Sequence, residues 1–367
     1  MRNENIDFLR GVAVLMVLYA HMQLSRLIKF GWAGVDLFFV LSGFLVTGLL
    51  FHEIKKYGSI NGKLFLIRRG FKIYPNYYLF LLIAIIFELL IPNEDRFWRK
   101  LIYEALFIQN YTELIGLHWH TWSLSVEEQF YFILVFIIFI FSKFKLIGVG
   151  KPYFFYFFLG IAIFCLTFRV ITTLKYPIYV SDIHTYPTHL RIDSLLFGSL
   201  IAYYYSYYEE QVLLFFQKNY KILIAACLFC LSFSVFLPIQ NNFMHTFGLT
   251  FQYLGNGILL ILMVSNQQLS NLIKRITGAK IYAWIAKVGF YSYSIYLWHT
   301  FVQHYIIGNI NIYITRIFAN HLKVGEVFEF ILYVFLSIFF GVIMGKLIEI
   351  PFLKLREIYF PKRSEAL

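Results

Sequence analysis

Two residues capable of chemistry stand inside the first apolar run of this chain, Arg10 and His21, joined by a stretch from Gly11 to Ala20 that is almost wholly apolar. On a helix, eleven steps of about 100° bring His21 within about 20° of the face carrying Arg10, roughly 16 Å along the axis. A guanidinium holds phosphate or carboxylate oxygens in a fork, and an imidazole takes a proton from a hydroxyl. Ionisable groups are costly in lipid, so the pair reads as a functional site. The competing reading has Arg10 snorkelling to headgroups and His21 resting at the far interface.

A second basic group lies in Ile67-Arg-Arg-Gly-Phe-Lys-Ile-Tyr-Pro75. Helical spacing lets Arg68 or Arg69 share a face with Lys72, which suits a polyanionic ligand. Topological anchoring against anionic lipid is the alternative. Asp36, in Gly34-Val-Asp-Leu-Phe-Phe-Val-Leu-Ser-Gly-Phe44, is placed to orient and charge the His21 imidazole, or else to serve as a first-turn acid stabilised by the helix dipole. Ser42 and Gly43 read as close-packing positions. In Trp122-Ser-Leu-Ser-Val-Glu-Glu-Gln-Phe-Tyr131, Glu127 and Glu128 point about 100° apart, so at most one faces the interior. Ser123 or Ser125 with a following glutamate also fits a capping box. Arg191 and Asp193 diverge on their helix and each needs another partner. His299 reads as an interhelical hydrogen-bonder, and Glu349 precedes Pro351. Glu128, Tyr131, Arg191, Asp193 and His299 are thus candidates for substrate contact or for structural polar bonds. His118 and His120 read as interfacial, too few for a zinc set. Cys227 and Cys230 have C-x-x-C spacing but sit mid-helix without neighbouring ligands, so no metal is expected.

The elements that must carry these groups are membrane helices. The chain has 367 residues, 60% hydrophobic and 14% charged, with mean hydropathy +0.68, a balance no soluble domain shows. Apolar runs near span length give ten candidate crossings at 6–24, 34–51, 73–91, 129–142, 152–174, 190–208, 220–238, 246–264, 282–306 and 327–348. Segment 101–110 is apolar but too short and reads as interfacial or re-entrant. The first residues do not resemble a cleavable signal peptide. With the N-terminus inside, the cytoplasmic segments carry more than twice as many lysines and arginines as the outer ones, which places both termini in the cytoplasm. The net charge of +12 is therefore mostly topology, not a nucleic-acid surface. The fold expected is an all-α polytopic membrane protein spanning 1–353, followed by a short basic cytoplasmic tail, 354–367.

Taken together, the segments resemble the membrane-bound acyltransferase 3 family, the bacterial transmembrane O-acyltransferases. The matching pieces are Ile6-Asp-Phe-Leu-Arg-Gly11 with His21 following, the Gly34–Phe44 and Trp122–Tyr131 segments, the basic run into Tyr74-Pro75, Ser292-Tyr-Ser-Ile-Tyr-Leu-Trp-His299 and Ile348-Glu-Ile-Pro351. The resemblance implies acetyl-CoA as acyl donor, entering from the cytoplasm, and an acceptor hydroxyl on the outer side. It places the catalytic roles on His21 and Glu127, with Arg10 conserving the partner cation. Where members often have Arg-x-x-Arg, this chain has Arg69-x-x-Lys72, which keeps the charge and loses one fork. Donor binding is expected at Arg10, Arg68, Arg69 and Lys72, and catalysis at His21 with Asp36 or Glu127. The acceptor expected is a cell-surface glycan such as lipopolysaccharide O-antigen, capsule or exopolysaccharide, at the inner (plasma) membrane of a bacterium among membrane lipid. Some members carry a fused hydrolase-like domain; here that step would fall to a separate periplasmic or extracellular transferase or be unnecessary. O-acylation of a small molecule such as a macrolide, and proton-coupled secondary transport, are the alternatives.

Overall fold

A computed structural model describes residues 3–21, 30–89, 97–112, 119–318 and 322–363. The helices run α1 Glu4–Ala20, α2 Ala33–Tyr57, α3 Gly62–Leu89, α4 Phe97–Ala105, α5 Trp122–Lys143, α6 Tyr153–Lys175, α7 Ser181–His184, α8 Ile192–Tyr207 and α9 Glu209–Lys218. They continue as α10 Tyr220–Phe236, α11 Leu249–Ser265, α12 Gln267–Thr277, α13 Ala279–Phe290, α14 Ser292–Phe301, α15 Gly308–Ile317, α16 Leu322–Met344 and α17 Ile350–Tyr359. Among the described residues there is no strand, and the protein is an all-α membrane protein.

Among the described residues, five helical stretches are long and apolar enough to cross a bilayer: Ala33–Tyr57, Trp119–Lys143, Tyr153–Lys175, Met244–Ser265 and Lys323–Tyr359. A sixth arises if α9 and α10, bent by 85° at their junction, act as one span. Three of the other apolar runs lie on shorter or broken helices. α1 has 17 residues and α8 has 16, and the run at 282–306 is broken between α13 and α14. Segment 101–110 holds the end of α4 and part of a 3-10 turn.

Small residues set the crossings that matter. A Cβ on Gly43 would stand 1.9 Å from the Leu195 carbonyl oxygen, and one on Gly198 would stand 2.1 Å from that of Val40. Only glycine admits so close an approach of α2 and α8. Gly11 of α1 and Gly289 of α13 meet in the same way, across Ile285 and Asp7. α1 is started by Asn3, whose side chain accepts from the Asn5 and Ile6 backbone amides, a standard N-cap bond. With α1 held against α2, α13 and α14, the Arg10 and His21 ends of one helix both face the protein interior.

Candidate functional site

The Arg10 end gathers charge from three helices. α3 presents Arg69 and Lys72 about one turn apart, and α5 presents Glu127 and Tyr131 one turn apart. These groups and Arg10 line a cavity of about 110 Å³, together with Ser42, Ser123, Tyr296 and apolar side chains of α2. The Tyr131 hydroxyl is its hub. It donates to Glu127 Oε2 at 2.7 Å and accepts from Arg69 Nη2 at 2.8 Å. A phenol has one proton, so the Ser42 hydroxyl at 2.7 Å must donate to it. The Arg69 guanidinium also packs 4.5 Å from the centre of the Tyr131 ring. Glu128 points elsewhere, accepting from the Tyr74 hydroxyl at 3.0 Å. The divergence expected of the paired glutamates is what the helix produces.

Two further cavities adjoin this one. One of about 230 Å³ shares Arg69 with it and is lined by Lys56, Arg68, Arg356, Lys362 and Arg363, with His52 and Glu53. The C-terminal basic residues therefore build a strongly cationic mouth beside the first loop. α17 is docked there by Arg68, which donates to both carboxylate oxygens of Glu357 at 2.8 and 2.9 Å and to the Phe360 carbonyl oxygen. The other cavity, about 340 Å³, shares Arg10 and Lys72 and is lined by Asp7 and Glu349. Glu349, at the end of a π-turn, accepts from Ser294 at 2.7 Å, and Ser294 in turn accepts from Asn76.

Among the described residues, the His21 imidazole has no acid partner. His21 Nδ1 lies 2.6 Å from the Val17 carbonyl oxygen. A carbonyl only accepts, so Nδ1 carries the proton and Nε2 holds the lone pair. The ring contacts Trp119 and His299, each at 4.7 Å between centroids, and His299 contacts His120 at 5.0 Å. Tyr296 belongs to both regions: it lines the central cavity and its ring lies 5.7 Å from His120 and 5.6 Å from His299. Its hydroxyl donates to the His120 carbonyl oxygen at 2.7 Å. Arg69 thus lines both the cationic mouth and the central cavity, and the central cavity ends against a tyrosine packed on His120 and His299.

The profile of an acyltransferase family, described as an acyltransferase domain, matches residues 3–346. The chain belongs to this family. Among its relatives is the peptidoglycan O-acetyltransferase OatA of Listeria monocytogenes, 28% identical over 321 residues, covering 80% of this chain and 48% of the relative. Another is the O-acetyltransferase OatA of Staphylococcus aureus, 24% identical over 335 residues, covering 84% of this chain and 53% of the relative. The chain spans about half the length of the curated relatives it matches. No solved structure matches it.

For this acyltransferase chain, three expectations from the sequence need correction. Asp36 does not reach His21: it is fully buried and pairs with Arg191 at 2.7 Å. Glu127 does not stand with His21 but with Arg69 and Tyr131, beside Arg10. Arg68 turns away from the central cavity toward Glu357. Distance along the chain hid the Asp36–Arg191 and Arg68–Glu357 pairs, because a carboxylate takes the nearest cation that the helix crossings deliver. Arg191 and Asp193 do diverge to separate partners, Asp193 receiving Arg169 at 2.6 Å. Ser42 bonds Tyr131 instead of only packing. Arg169 and Tyr296 were not singled out in the sequence, although an arginine within the apolar run of α6 is a visible signal. Cys227 and Cys230 are buried free thiols. Among the described residues no cluster of His, Cys, Asp or Glu could hold a metal. His118 lies outside the described residues.

Proposed function

We propose that this chain is a membrane O-acetyltransferase that moves an acetyl group from acetyl-CoA to a hydroxyl of a cell-wall glycan. The observation that carries the reading is Arg69, shared between the cationic mouth and the central cavity that holds Arg10, Lys72, Glu127 and Tyr296. The relative from Listeria is named for peptidoglycan, which favours a cell-wall polymer over the lipopolysaccharide, capsule or exopolysaccharide suggested by the family resemblance alone. The positive-inside count favours ten crossings with the Arg10 end facing the cytoplasm and His21 near the outer face of the bacterial plasma membrane.

In this reading, the mouth residues Lys56, Arg356 and Arg363 neutralise the nucleotide phosphates, and Arg69 forks onto the pyrophosphate. Arg10 and Lys72 extend the positive field inward. Glu127, through Tyr131, keeps Arg69 oriented for that contact. At the other end, Val17 fixes the His21 tautomer with a backbone carbonyl, the task an aspartate performs in a hydrolase triad. His21 Nε2 then takes the hydroxyl proton as the acceptor oxygen attacks the thioester carbon. The carbon–sulfur bond breaks, and His21 returns the proton to the leaving thiolate. Tyr296 stands between the two regions and must be passed by the thioester arm.

The deciding experiment incubates the purified chain, reconstituted in phospholipid vesicles, with radiolabelled acetyl-CoA and isolated peptidoglycan. Base-labile label in the glycan supports the reading, and label that stays on acetyl-CoA in the presence of folded protein rejects it.

A further inference from the structure

His299 is fully buried in α14. Its Nδ1 lies 2.5 Å from the Tyr296 carbonyl oxygen, so that nitrogen carries the proton and Nε2 is the lone pair. Nε2 is buried and has no hydrogen-bond partner among the described residues. Its neighbours do not supply a proton. His120 Nε2 lies 3.0 Å from the Leu297 carbonyl oxygen and so donates there, while its Nδ1 accepts from the Thr300 hydroxyl at 3.1 Å. His21, 4.7 Å away between ring centres, spends its proton on Val17. At the reacting end of α1, the His299 ring with its unpartnered Nε2 therefore packs edge to face against the His21 ring, whose own proton is held by Val17. Trp119, half-buried, lays its ring 4.7 Å from His21, a flat apolar face of the kind that sugar C–H groups cover.

We propose that His299 is a specificity-determining residue whose Nε2 accepts a hydrogen bond from a second hydroxyl of the acceptor, beside the one that reacts at His21. This rests on the acyl-transfer reading given above. The site then selects rings with neighbouring hydroxyls over isolated alcohols, because an acceptor lacking the second donor leaves a buried lone pair unsatisfied. His299 takes no part in the bond changes. The reacting O–H bond breaks toward His21 as the oxygen–acyl bond forms, and the thiolate leaves to become the thiol of coenzyme A.

The test uses the full chain in nanodiscs with acetyl-CoA and two probe alcohols, vicinal trans-cyclohexanediol and cyclohexanol. The wild-type protein is expected to prefer the diol in kcat/KM by about 100-fold, far beyond the statistical factor of about two for a second hydroxyl. In His299→Phe the preference falls to about that statistical factor, and in His299→Gln, whose amide oxygen accepts, part of it returns. A wild-type preference near the statistical factor overturns the proposal, as does a full preference in His299→Phe. Binding is read apart from turnover by nitrogen NMR of the labelled His299 ring. The diol shifts the Nε2 resonance and cyclohexanol does not. If neither alcohol is acetylated, the acyl-transfer reading fails while this shift still reports on His299, and no shift with the diol overturns the proposal outright.

Discussion

The two ends of α1 are built from different chemistry. At Arg10, cations from two helices stand together and are tempered by Glu127, Asp7 and Glu349, with cavities on either side. At His21, the partners are backbone carbonyls, aromatic rings and other imidazoles. The contrast teaches how one short helix divides a transfer reaction. In the proposed reading, a polyanion is held where positive charge is concentrated. A proton is moved where, among the described residues, no charged side chain pairs with the imidazole and its Nδ1 is committed to a carbonyl.

The largest expected effect breaks the His21 end alone. His21→Ala should lower acetyl transfer by about 10²–10⁴-fold while the thermal midpoint and acetyl-CoA binding stay at wild-type values. Turnover near wild type in that variant would falsify the general-base assignment.

Next comes the acid that the comparison removes from the His21 end. Asp36→Asn leaves Arg191 buried without its counter-charge and should destabilise the fold by about 3–5 kcal/mol, read as a fall in thermal midpoint in detergent. The double variant Asp36→Leu with Arg191→Met should recover most of that loss. If Asp36→Asn instead melts like wild type but loses kcat, Asp36 belongs to the chemistry after all.

At the Arg10 end, Arg69→Ala or Lys72→Ala should raise the KM for acetyl-CoA by about tenfold or more, as expected for one charge-assisted bond of about 1.5–3 kcal/mol. Steady-state kinetics at two salt concentrations give the check, since a phosphate contact weakens with salt. A fall in kcat at constant KM would move these cations out of donor binding.

The smallest effect is expected for Arg68→Ala. Its partner Glu357 is 40% exposed, and an ion pair of that kind contributes about 0–1 kcal/mol. The KM for acetyl-CoA should change by less than about threefold. A shift as large as that for Arg69 would erase the distinction between the two arginines.

Much of this was legible residue by residue. Apolar runs announced membrane helices, and the rarity of ionisable groups within them drew attention to Arg10, His21, Lys72 and Glu127. The i,i+4 pairing of Glu127 with Tyr131 is a property of one helix, and so was within reach of spacing. The partners across helices were not. Asp36 sits within sequence distance of His21, yet the Gly43–Leu195 and Gly198–Val40 contacts bring α8 and its Arg191 to it first. The C-terminal basic residues read as a tail, but α17 folds back along α3 through Arg68 and Glu357 and makes Arg356 and Arg363 part of the mouth.

The sequence by itself determined the class of protein and the two kinds of chemistry on α1, because hydrophobicity and helical period act locally. Only the tertiary structure decided which acid serves which base. Helix crossings set by small residues bring charges together over more than a hundred positions of chain, and a buried carboxylate binds the cation it meets. The same packing left His21 to a carbonyl one turn away in its own helix, a partner present in every helix and therefore invisible to any reading of side chains.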